Sequence, residues 1–128
     1  MGYARRIISQ LLRIQSNLMD DDLRSSIADD SAVGYLRIYC EDDELGNDEI
    51  YLMLENGFVK EINAPRNIKH SIEMHIDTFL DIFTGELDFG EAWAKNLIRV
   101  EGEKKTLHIA RWIKWIRRMK DKIKEVSI

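Results

Sequence analysis

The chain has 128 residues, 45% hydrophobic and 33% charged, enough for one domain with a real core. One proline and seven glycines exclude a collagen-like or low-complexity polymer, the single Cys40 excludes an internal disulfide, and no apolar run approaches the roughly 20 residues that span a bilayer. The formal net charge of −4 argues against a nucleic-acid binder, but it sums opposed halves: residues 20–49 carry 11 acids and two bases, residues 104–125 nine bases and two acids.

The first predicted element is a helix over 3–19. Ala4, Ile7, Ile8, Leu11, Leu12, Ile14, Leu18 and Met19 recur at helical spacing, with Arg5, Arg6, Ser9, Gln10 and Arg13 opposite. Its start does not read as a signal peptide, and Arg6 stands where a myristoylation signal after Gly2 needs Ser or Thr. The expectation is a soluble, cytoplasmic protein. Asp20-Asp21-Asp22 closes the helix, a short turn covers 22–27, and 29–31 reads as loop.

At 33–40 the period changes to two: Leu36, Ile38 and Cys40 alternate with Tyr35, Arg37 and Tyr39. An acidic loop over 41–48 leads to a second strand on Ile50, Leu52 and Leu54. Asn56-Gly57 is a strong hairpin signal, so 58–62 is a third strand. Pro65 interrupts the ladder, and 69–76 forms a fourth, with Ile72, Met74 and Ile76 on one face. Asp77 is expected to cap a helix over 78–84 that Gly85 ends in the left-handed conformation. Asp88 caps a second short helix over 89–95, 98–101 is a fifth strand, and 104–126 is a long amphipathic basic helix. The fold class is α+β: a single domain over 1–128, whose core over 33–102 is a five-stranded, mainly antiparallel sheet with helices covering one face.

Chemistry-bearing motifs are absent. His70, His75 and His108 lack zinc spacing, Cys40 has no cysteine partner, and the acidic loop does not follow an EF-hand. No phosphate-binding or nucleophile-elbow sequence occurs. The expectation is no enzyme, no metal and no cofactor; His75 and Asp77 are the only candidates for polar chemistry. Cys40 reads as a small buried hydrophobe.

The segment Ile72 to Gly102 is the most informative. It runs from the alternating strand through the Phe79-Leu80 helix and Thr84-Gly85 turn. The Asp88 helix with Trp93 follows, then Leu97-Ile98-Arg99-Val100-Glu101-Gly102. This resembles the sterol carrier protein 2 (SCP2-like) domain family, and Leu52 to Val59 looks like that family's second hairpin. Asn96 stands where the family has Gly, the acidic loop has no counterpart, and the last helix is longer and more basic, with two Trp. The resemblance implies an apolar tunnel between sheet and helices that holds an acyl, isoprenoid or sterol-like chain, and a function in lipid binding or transfer.

The candidate strand wall is Leu36, Ile38, Leu52, Leu54, Ile72, Met74 and Ile76; helices add Phe79, Leu80, Phe83, Trp93, Trp112, Ile113 and Ile116. Every one of these also suits a filled core, so tunnel and dry core both stand. Arg111, Lys114, Trp115, Arg117 and Arg118 on the last helix form a candidate contact for an anionic membrane surface or a protein partner. The alternative function is a non-catalytic accessory subunit of a lipid-metabolism enzyme, with a filled core and an interacting C-terminal helix. No nucleic-acid partner is expected, since the acidic half would repel phosphate.

Overall fold

The computed structural model describes residues 2–18, 34–66 and 69–126. Met19 of the predicted first helix, the Asp20-Asp21-Asp22 triplet, the predicted turn at 22–27, the loop at 29–31 and Val33 of the first predicted strand lie outside them. The first helix, α1, covers Tyr3–Leu18. Four strands follow: β1 (Tyr35–Asp42), β2 (Gly46–Glu55), β3 (Phe58–Ile62) and β4 (Ser71–His75). Then come α2 (Ile76–Thr84), α3 (Phe89–Ala94), β5 (Ile98–Glu101) and α4 (Lys105–Val126). The sheet order is β3-β2-β1-β4-β5. It is antiparallel except where β1 runs parallel to β4, pairing Leu36 with Ile72 and Ile38 with Met74.

Period-two alternation decides which face is buried. Leu36, Ile38, Cys40, Ile50, Leu52, Leu54, Ile72 and Met74 point inward under the helices. The other face carries tyrosines and charge: Tyr35 packs on Tyr51 with centroids 5.7 Å apart, and Arg37 lies over the Tyr39 ring while pairing with Glu49 at 2.7 Å. Burial raises the Cys40 thiol above its ordinary pKa, so it stays neutral in the core.

Both hairpins have a local cause. Asn56 and Gly57 take φ 50° and 78°, the paired positive angles of a two-residue turn. In the β1–β2 turn, Asp42 Oδ1 accepts from the amides of Glu44 and Leu45, both at 2.8 Å. Those amides, Leu45 first, hold the Asp42 carboxyl below the ordinary carboxylate value. The acidic loop also reaches α1. Asp48 accepts from the Ala4 and Arg5 amides at 3.1 and 2.9 Å, capping the helix from a distant strand. Gly2 is required there, because a Cβ would stand 2.3 Å from the Asp48 carboxyl carbon.

The cap of α2 differs from the expectation. The helix starts at Ile76 and its cap is His75, whose Nδ1 accepts from the Asp77 amide at 3.0 Å. Asp77 is displaced into the first turn, where its charge faces the positive end of the helix dipole. Gly85 ends α2 at φ 87°, and Asp88 caps α3 through the Glu91 amide, both as expected. Asn96 takes φ 59°, the left-handed conformation that asparagine tolerates.

Candidate functional site

The inner face of the sheet is buried. Leu36, Ile38, Leu52, Leu54, Ile72, Met74, Ile76 and Trp112 are at most 2% exposed, and Ile38, Ile72, Met74, Ile76 and Trp112 have no accessible surface at all. A side chain with none touches no space that a water could occupy. The strand residues expected to wall a tunnel are thus all buried on the inner face of the sheet.

Space opens where helices meet each other. A cleft of about 200 Å³ lies between α1 and α2, walled by Ile7, Leu11, Ile14, Phe79, Leu80 and Phe83, with Gln10 its one polar residue. The Phe79 and Phe83 rings stack there at 6.0 Å. A second cleft of about 200 Å³ lies between α2, α3 and α4 over Ile82, Leu87, Phe89, Ile113 and Ile116, with Arg117 and Lys120 at its rim. Helical periodicity sets the two clefts on opposite flanks of the α2 stripe that Ile76, Phe79 and Ile82 bury. Trp93 belongs to neither. It borders a cleft of about 580 Å³ beside β5, among Arg37, Glu73 and Arg99. Of the predicted lining residues, Phe79, Leu80 and Phe83 come together in one cleft and Ile113 and Ile116 in the other.

The candidate contact surface on α4 needs one correction. Trp115 is not on the surface: it is 2% exposed, T-stacked on Trp112 at 6.0 Å, and its Nε1 donates to Gln15 Oε1 at 2.9 Å. The buried stripe of α4 runs through His108, Trp112, Trp115 and Met119, because α4 packs on α1 and α3; Ile113 lies at its edge. Arg111 is half-buried, while Lys114, Arg117 and Arg118 are exposed. Neither His75 nor Asp77 faces the apolar clefts: His75 is engaged as the α2 cap, and the Asp77 side chain is 75% exposed.

Three structurally decisive residues escaped sequence reasoning. Gln15, polar on an amphipathic helix, reads as solvent-facing, yet it is fully buried. Its Nε2 donates to the Val59 carbonyl at 2.8 Å, and its Oε1 accepts from the Val59 amide at 2.9 Å. His108 is 1% exposed with neither ring nitrogen hydrogen-bonded, and the buried Trp112 Nε1 and His70 Nε2 also lack a partner among the described residues. Burial, then His70, then Arg111 lower the His108 pKa to about 4, so the ring is neutral at pH 7. Lys120 is one cation among many in the last helix, and no sequence signal marked its place on the cleft rim.

No protein-family model matches the sequence, and no curated protein matches it. Solved structures do. Sterol carrier protein 2 from Yarrowia lipolytica, in its apo form, superposes with a TM-score of 0.60 at 17% identity, over 92% of this chain and 93% of that one. The sterol carrier protein domain 2 of Helicoverpa armigera gives 0.55 at 13% identity, over 92% and 89%. The inverting sec-alkylsulfatase Pisa1 from Pseudomonas gives 0.52 at 16% identity over 73% of this chain, which spans only 14% of that enzyme. The chain has the sterol carrier protein 2 fold. No helix among the described residues is long and apolar enough to cross a membrane.

Proposed function

We propose that this protein is a small binding module for a hydrophobic chain, acyl or isoprenoid, held at the seam of α1 and α2. The observation that carries the reading is the α1–α2 cleft, whose lining is apolar except for Gln10. At about 200 Å³ it is below the roughly 300–1,000 Å³ of pockets that enclose a drug-sized ligand, which favours a flexible chain over a rigid sterol. Six methylenes buried there would contribute about 5 kcal/mol before ordering costs. The shared fold supports the reading, because two of the similar structures are named as sterol carriers. The activity is binding, not catalysis: no nucleophile lines the cleft.

The test is extraction of the purified protein followed by mass spectrometry, with titration of a fluorescent fatty acid. Bound chains, or micromolar binding that Leu80→Arg abolishes, are expected. Absence of both overturns the reading. The burial of the inner-face residues favours the second reading, an accessory subunit of a lipid-metabolism enzyme, and a folded protein that binds no chain would leave that reading in place. Burial of Trp115 removes the aromatic anchor that a membrane-docking helix would need.

A further inference from the structure

We infer that the cleft between α2, α3 and α4 is a second binding site, for a single-chain amphiphile with an oxyanion head. The inference rests on the hydrophobic-chain reading, but it names a different place and adds a polar determinant that the α1–α2 cleft lacks. The floor of Ile82, Leu87, Phe89, Ile113 and Ile116 matches an alkyl chain. The rim does not. Arg117 and Lys120 stand over it, and neither forms an ion pair with a carboxylate among the described residues.

Lys120 lies over the end of α2. Its Nζ lies 3.3 Å from the point where a Cβ on Gly85 would stand, against the C-terminal turn of α2. The negative end of that helix dipole favours a cation there. Gly85 leaves the approach open. The cleft continues along α4 into a groove of about 620 Å³, sharing Ile113 and Arg117 and adding Lys114, Arg118 and one opposing carboxylate, Asp121. An apolar floor thus leads to Arg117 and Lys120, with Arg118 farther along. The other carboxylate on the cleft, Asp88, is turned to the Glu91 amide as the α3 cap.

Charge complementarity selects the ligand. A neutral chain gains nothing from the rim, and a bare anion gains nothing from the floor. A fatty carboxylate or an alkyl phosphate uses both, with charge-assisted hydrogen bonds to the guanidinium. The two clefts then divide the recognition: one reads the chain alone, the other reads chain and head.

The experiment is a methyl-resolved NMR titration of the full chain with decanoate, decyl phosphate, decanol and inorganic phosphate. Decanoate and decyl phosphate should shift the Ile82, Ile113 and Ile116 methyls. Decanol should shift Leu11 and Leu80 and move Ile113 only at roughly tenfold higher concentration than decanoate, and inorganic phosphate alone should move neither set. The double variant Arg117→Gln/Lys120→Gln should weaken decanoate at Ile113 about tenfold, the loss of about 1.4 kcal/mol, with Leu80 unaffected. Unchanged Leu36 and Ile72 methyls show that the variant is folded; should it not be, Arg117→Gln alone is read by the same criterion.

Equal shifts of Ile113 with decanol and decanoate overturn the inference. So does a variant that binds decanoate like the parent, or inorganic phosphate acting as strongly as decanoate. A silent Leu80 with a responsive Ile113 defeats the α1–α2 reading and leaves this one standing.

Discussion

The helical layer meets two kinds of neighbour, and its packing differs between them. Toward the sheet, Ile8, Ile38, Ile72, Met74, Ile76 and Trp112 are 0% exposed. Against one another the helices leave clefts of about 200 Å³ on both flanks of α2. A pleated sheet presents an even apolar surface that helices cover fully. Short helices of different direction contact each other only over part of their length, and gaps remain between contacts. Stability therefore sits at the sheet, and room for a guest sits at the seams.

The largest expected effects break the sheet side. Trp112→Ala removes a side chain with no accessible surface and should cost about 3–5 kcal/mol, read as a shift in the denaturation midpoint. A destabilisation under about 1 kcal/mol would mean that the inner layer is not tightly packed.

Acid probes the same layer through His108. Its folded pKa of about 4 lies below the ordinary 6.5, so between those values the unfolded chain binds the proton and the folded one does not. Stability should be full above about pH 6.5 and fall by up to about 3 kcal/mol as pH drops to 4. His108→Leu should flatten that slope, and urea melts at several pH values measure it. A slope unchanged in the variant would place the titration elsewhere.

Gln15→Ala should cost about 2 kcal/mol, because it leaves the Val59 amide and carbonyl and the Trp115 N–H buried without their partner. Smallest of all, Leu80→Ala at the half-buried seam should cost under about 1 kcal/mol of stability while weakening a bound chain severalfold. A large stability loss from Leu80→Ala would erase the distinction between seam and core.

The sheet was legible because alternation is a local signal. Leu36, Ile38 and Cys40, then Ile50, Leu52 and Leu54, show their inner face with no knowledge of the partner strand. Both turns were legible for the same reason: Asn56-Gly57 and Gly85 encode backbone angles directly. The site was less so. Whether Ile72 borders a tunnel or a neighbour's methyl depends on distances between helices, which no periodicity records. Trp115 was misplaced and Gln15 went unmarked for one reason: the two meet, buried, where α1 and α4 come together. His75 and Asp77 compete for one cap, and both could serve; the geometry at the end of β4 selects the histidine.

The Gln15 side chain has a consequence beyond its contribution to stability. Val59 belongs to β3, the strand at one end of the sheet order, and its amide and carbonyl are both taken by one carboxamide. A carboxamide offering a donor and an acceptor side by side imitates a peptide group, so α1 supplies β3 with one residue's worth of an absent neighbouring strand. An open strand edge is a template on which another chain can grow. Here that template is interrupted at its second residue by a single glutamine, which also ties α1, β3 and α4 together.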